Sequence, residues 1–345
     1  MEPGAQFDTH SAAQSIPLRS VTPLYGFSTD ADPLVITPDI VVTTASDDQL
    51  RVIDVDDVFA QHVRLFRPQH LLWNTTRLTY EDFSSIASFH RGGLGGGEVY
   101  RSDAGEVPAL MKHVRPVVNH LRALQLFKPG RLVAGDTAFF VQTEEMGWGT
   151  LSLTRCSEMS IDYQFVEQFS PRYELKKEDV FFFLAFYVRF LEVCLIVQQY
   201  PQIDFAINKY ASESALYGGP LELITSLEAL LVPEEEGISY RLAQRVANLI
   251  GTDAASRKDL FRQMRNFYGV RSKIVHGAEF KKKELSMLQQ LDSLREITRR
   301  VLLSVLALAA DMGLTADTYA TFNDMCFDDD LRCAIQSKAA ALLHC

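Results

Sequence analysis

Arg271 and His276 stand five residues apart in FYGVRSKIVHGAEF, Phe267–Phe280. Their side chains suit phosphate-ester chemistry. A histidine, titrating near pH 6.5 when unperturbed, can accept or donate a proton near neutrality. An arginine stays protonated and can grip a phosphate through two parallel hydrogen bonds. The spacing alone selects nothing, because Arg115 and His120 in RPVVNH share it. There, however, Pro116 and apolar neighbours point to a packed helix. His276 is followed by Gly277, where a helix can end and leave the imidazole at a terminus.

Charge separates the two copies. The chain of 345 residues has a net charge of −10. Between Arg241 and Arg300 it holds 14 Lys and Arg against 6 Asp and Glu, a local charge of +8 that leaves −18 for the remainder. Arg271 and His276 lie inside this basic island. Such an island is either a set of solvated helix faces or a phosphate-attracting surface.

Helical geometry adds a demand. Five residues turn through about 500°, so Arg271 and His276 differ by about 140° in direction. Ser272 and His276 share a face, as do Tyr268 and Arg271. One helix therefore presents the arginine and the histidine on two sides of a seam. Convergence on one phosphate needs a bent helix end or a second copy of the motif across a two-fold axis.

The elements that must position these residues divide the chain. Residues 1–20 are rich in Ser, Ala and Gln and are expected to be disordered. Residues 21–170 carry short β-branched runs with turn signals between them. RLVAGDTAFFVQTEE (131–145) reads as a hairpin around Ala134, Gly135 and Asp136. Segments 56–66 and 110–127 have helical spacing. From Lys176 onward the pattern is helical, with helices expected at 177–199, 204–215, 219–232, 238–250, 254–276 and 280–312 and a shorter one or two within 316–344. The boundary falls within 168–179. The fold class is therefore α+β: a strand-rich, mixed N-terminal domain to residue 170, then a helical bundle over 171–345.

Other signals narrow the function. The run VFFFLAFYVRFLEVCLIV (180–197) is long enough to test as a membrane span, but Arg189 and Glu192 interrupt it on one face, which favours a buried helix with a polar stripe. RGGLGGGEVY (91–100) lacks the spacing of a dinucleotide loop, and no Gly-Lys-Ser/Thr follows it, so it reads as a glycine-rich surface loop. Five cysteines, none spaced as CxxC, predict reduced thiols and no zinc site. The N-terminus lacks the basic start and apolar core of a secretory signal. A cytoplasmic protein with no membrane partner is expected.

YGVRSKIVHG resembles the motif of the Apea-like HEPN family: Tyr268, two residues, Arg271-Ser272, three residues, His276-Gly277. The resemblance extends upstream through 207–231, with a Ser-Leu-Glu-x-Leu signature at Ser226–Leu230, then 238–251 and 256–272. Segments 22–30 and 119–133 are similar to stretches that precede the helical domain in that family. Residues 313–345 match nothing recognisable.

The resemblance implies a dimerising helical bundle and a metal-independent endoribonuclease, working in antiviral defence, abortive infection or a toxin system. It implies Arg271 and His276 as catalytic residues and RNA as substrate, with no cofactor and no metal. Two facing motifs would supply two histidines, one for each proton role. Ser272, Tyr268 and Glu228 would support the site. Ser272 could orient His276 or simply bond its own helix backbone. Tyr268 could meet a base or a phosphate, or pack at a core edge. Glu228 could pair with Arg271, Arg241 or Arg245. Arg265, Lys273, Lys281, Lys282 and Lys283 are expected to contact the RNA backbone. The N-terminal domain would sense a trigger protein or a nucleotide signal. A second reading is a non-catalytic HEPN module that binds RNA or nucleotide, or serves as a dimerisation scaffold. The scaffold alone would bury His276 with its nitrogens satisfied.

Overall fold

A computed structural model describes residues 15–47, 49–50, 68–79, 81–82, 108–135, 137–143, 147–154, 173–211, 219–234 and 236–343. The segments 56–66 and 91–100, read above as a helix and a glycine loop, lie outside the described residues. The chain forms two compact units. The first draws on residues up to Tyr25, 31–118 and 133–157; the second on 26–30, 119–132 and 158 onward. The architecture is α+β, an antiparallel sheet in the N-terminal region and a helical C-terminal region.

The sheet unit is built around β1 (Ser15–Tyr25). It pairs antiparallel with β5 (His70–Thr79) from Ser15↔Thr79 to Leu24↔His70. Its other edge meets β7 (Thr137–Thr143) at Leu18–Val21. With β3 (Leu34–Thr37), β4 (Ile40–Thr44) and β8 (Gly147–Thr154) the order is β3-β4-β5-β1-β7-β8. Leu18, Val21 and Leu24 are fully buried, and the Thr22 and Thr137 hydroxyls meet at 2.7 Å inside the sheet. Residues 15–20, expected to be disordered, are the first half of this strand. Partners from Asn74 to Thr79, more than fifty residues away, supply their pairing, which local composition cannot show; residues 1–14 lie outside the description.

The expected 131–145 hairpin is not formed as read. Val133–Ala134 (β6, preceded by β2, below) pairs with the end of β1, while β7 turns back on β8 with Thr143↔Gly147. Gly135 explains the difference. Its N–H donates to the Pro23 carbonyl at 2.8 Å, and a Cβ there would meet the Tyr25 ring at 3.1 Å. Gly135 marks a close pass against β1, not the tip of a turn.

In the helical unit β2 (Phe27–Thr29) pairs parallel with β9 (Tyr173–Leu175), and the Phe27 and Tyr173 rings stack at 5.7 Å. The C-terminal part of helix α1 (Pro108–Phe127) belongs to this unit too. Then follow α2 (Val180–Val197), α3 (Pro201–Ala211), α4 (Gly219–Leu231), α5 (Ile238–Ile250), α6 (Ala254–His276), α7 (Lys282–Leu288), α8 (Leu291–Met312), α9 (Ala316–Asp324) and α10 (Asp329–Leu343). Central α8 buries Leu294, Val301, Leu302, Val305 and Leu306. The single helix expected over 280–312 divides at Gln289–Gln290, where Gln290 leaves helical geometry. Helix α2 buries Phe183, Phe186, Tyr187, Phe190, Val193 and Val197 on one face. Its other face is not the expected polar stripe alone: Arg189 and Glu192 pair there at 2.7 Å, but Phe181, Phe182, Val188, Leu195 and Ile196 are exposed beside them. A run apolar all round does not say which side is covered.

A buried ion pair locks the end of α4 to α5. Arg245 is fully buried, donating to Glu234 at 2.9 and 2.7 Å, to Asn323 at 2.9 Å and to the Leu231 carbonyl. Arg241 reaches the same carboxylate at 2.8 Å. The hydrogen bond from Arg245 above all holds the Glu234 carboxyl at about 2. A depressed carboxyl pKa stabilises the fold above the ordinary carboxylate range and stops doing so as pH falls toward 2. Glu234→Gln strands a buried guanidinium and should cost about 3 kcal/mol at neutral pH. Urea unfolding at pH 7 and pH 3 checks both points: the deficit of the variant shrinks at the lower pH.

Candidate functional site

Helix α6 carries the motif, and its ends are fixed locally. Asp253 caps the start, accepting from the Ser256 N–H at 2.7 Å while the Ser256 hydroxyl accepts from the Asp253 N–H at 3.0 Å. Gly277 ends the helix in the left-handed region, at φ +63°. The Ala278 N–H then returns to the Lys273 carbonyl at 3.0 Å, which satisfies an orphan carbonyl of the last turn.

The buried residues Met264, Phe267 and Val270 set the rotation of the helix. Arg271 comes seven residues after Met264 and four after Phe267, so it returns to the core side. His276 comes nine residues after Phe267, half a turn away, and is exposed at the helix end.

On the core side Arg271 meets α4. Its Nη2 lies 3.3 Å from Glu228 Oε2, with the two side chains only 25% and 18% exposed. The guanidinium also sits 5.8 Å from the centre of the Tyr268 ring. Burial pushes the Glu228 carboxyl above its ordinary range; the Arg271 charge and a hydrogen bond with Tyr268 offset this only in part. Burial likewise raises the Tyr268 hydroxyl, and the Glu228 charge adds to that. Arg271 Nε is buried and without a hydrogen-bond partner. Tyr268, Glu228 and Arg271 border one open concavity of about 390 Å³, together with Phe205, Thr225, Ala229, Val232 and Ile238.

The structure thus brings Arg271, Tyr268 and Glu228 together, and leaves Arg241 and Arg245 to Glu234. His276 is not part of that cluster. No hydrogen bond joins it to Ser272, which is half-buried one turn earlier. Lys273 is half-buried, and its Nζ donates to the Glu279 carbonyl at 3.2 Å, tying down the turn after the helix. Arg265, Lys281 and Lys282 are exposed; the side chain of Lys283 lies outside the description.

The second Arg-x4-His pair is of another kind. His120 is buried, and its Nδ1 lies 2.7 Å from the Tyr187 hydroxyl. Burial holds its pKa down at about 4, so it is a neutral core histidine at neutral pH. Cys326 and Cys333 are exposed thiols.

Sequence reading missed Phe205. It stands on α3 between Asp204 and Asn208, away from the buried Ile203, Ala206, Ile207 and Tyr210. It is 44% exposed, with Lys209 Nζ 5.6 Å from its ring centre. A large aromatic on the polar face of an amphipathic helix was the available signal. Val232 and Ile238 carried none, since apolar residues flanking a loop are ordinary.

Comparison with protein-family models, curated proteins and solved structures finds no match for this chain.

Gly277 offers a clean structural test. A Cβ there would meet nothing within 4 Å, so any cost of Gly277→Ala comes from its left-handed backbone. A loss of about 1 kcal/mol in urea unfolding is expected.

Proposed function

We propose that this protein is a metal-independent endoribonuclease whose cleft is assembled from two copies of the chain. The supporting observation is the division of α6: Arg271 on the core side, in an open concavity with a donor to spare, and His276 exposed at the glycine-terminated end. A single copy holds the two groups apart. A two-fold axis beside the end of α6 would set the arginines and histidines of both copies around one phosphate. The resemblance of YGVRSKIVHG to the HEPN motif supports the same reading.

In that cleft the RNA 2′-hydroxyl attacks the adjacent phosphorus. One His276 takes the hydroxyl proton; His276 of the second copy gives a proton to the departing 5′-oxygen. Arg271 stabilises the negative charge that accumulates on the phosphate oxygens. The products carry 2′,3′-cyclic phosphate and 5′-hydroxyl ends. DNA, lacking the 2′-hydroxyl, is not cut. In this reading the protein is cytoplasmic and acts in defence or as a toxin, and the sheet-bearing unit receives the trigger. The scaffold alternative calls for a buried His276, whereas the imidazole is exposed.

The test is cleavage of total RNA in the presence of EDTA. His276→Ala should lower the rate by about a hundredfold or more, the usual scale of general acid–base catalysis. Arg271→Ala should lower it comparably. Cleavage that survives both substitutions contradicts the site. Failure of the wild-type chain to cut any RNA, with binding retained, favours a non-catalytic RNA- or nucleotide-binding module.

A further inference from the structure

The concavity beside Arg271 has the chemistry of a base-recognition site. Its size falls within the range of small-molecule sites. Its walls are apolar or aromatic: Phe205, half-exposed on α3, Val232 and Ile238 after α4, and the Tyr268 ring on α6. Flat π faces bordering such a space favour a stacked nucleobase over a flexible aliphatic ligand. Lys209 stands near the Phe205 ring, paired with Glu222 at 3.0 Å, as Arg271 is with Glu228.

Glu228 sets the choice of base. A carboxylate is acceptor-only, with about four lone-pair sites on its two oxygens. Arg271 takes one site on Oε2, and the hydrogen bond with Tyr268 takes another. Two sites are left for adjacent donors. Among the RNA bases only guanine places two donors side by side on its Watson–Crick edge, N1–H and the N2 amino group. Adenine and cytosine set an acceptor beside their amino group, and uracil flanks its single N–H with carbonyls; each would press an oxygen or nitrogen lone pair against the carboxylate. Arg271 Nε, buried without a partner, would gain one from a phosphate oxygen lying beside the guanidinium.

We propose that this concavity is a guanine subsite in which Glu228 determines specificity, so that the chain selects a guanosine next to the phosphate held by Arg271. The proposal rests on the reading of Arg271 as a phosphate ligand but is tested without any cleavage. The full-length chain is titrated calorimetrically with GMP, AMP, CMP and UMP, and with inorganic phosphate alone. GMP should bind at least about tenfold tighter than the other three nucleotides and than phosphate, the discrimination expected of one bidentate contact. Glu228→Gln should cut the GMP-over-AMP preference to about threefold or less. Phe205→Ala, a change at an exposed position that spares the core, should weaken all four nucleotides by about fivefold or more through lost stacking. Equal binding of the four nucleotides, phosphate binding as tight as GMP, no nucleotide binding, or a GMP preference untouched by Glu228→Gln each overturns the proposal. GMP selectivity in a chain that cuts no RNA upholds the subsite and removes the ribonuclease reading. RNA cleavage by a chain that binds the four nucleotides alike removes the subsite and leaves the nuclease.

Discussion

The pitch of one helix constrains the whole site. Each residue of α6 advances about 100°, and Met264, Phe267 and Val270 fix which direction is inward. Arg271 must then face α4, and His276 must face away. The two groups leave the helix about 140° apart in direction, on two sides of a seam. Gly277 stops the helix immediately after the histidine and keeps the imidazole at its end instead of inside a longer face. The proposed two-copy cleft is a consequence of this pitch, since neighbouring motifs in different chains can face one another where residues on one helix cannot.

Two glutamates near the end of α4 show how similar pairings lead to different states. Glu234 takes two bonds from Arg245 and another contact from Arg241, and its carboxyl is driven down to about 2. Glu228 has one contact of 3.3 Å with Arg271, lies deeper, and its carboxyl is pushed up. The first pair is structural: Arg245 is fully buried, and its Nε, Nη1 and Nη2 all donate hydrogen bonds. The second is under-satisfied. Arg271 has a spare donor and Glu228 a raised carboxyl, beside an open concavity. Perturbed titration next to open space is what binding and catalytic sites share, whereas saturated pairs hold cores together.

Much of the helical unit was legible in the sequence. The helices expected at 238–250 and 254–276 have those bounds, and 219–232 ends one residue early. Helical period, and Gly277 as a stop, agreed there; the Asp253 cap and the Gly251 stop emerged with the structure. Legibility failed where distant chain decides the outcome. Ser15–Ser20 becomes strand only because β5 pairs with it, and Gly135 bends toward β1 rather than into its own hairpin. The seam between Arg271 and His276 followed from residue spacing alone. The concavity did not, because Phe205, Glu228 and Ile238 come from three helices and meet only through packing. The partner of Glu228, open among three arginines in the sequence, is Arg271 because of the rotation of α6.

The two-copy cleft is tested most directly by subunit dilution. Wild-type chains are mixed with His276→Ala chains under conditions that exchange subunits, at constant total protein, and RNA cleavage is followed against the wild-type fraction. If each cut uses a histidine from both copies, only pairs of wild-type chains work, and activity falls with the square of that fraction, to about a quarter in an equal mixture. Activity that falls in simple proportion, to about half, would mean that each chain cuts with its own residues, and would contradict the account.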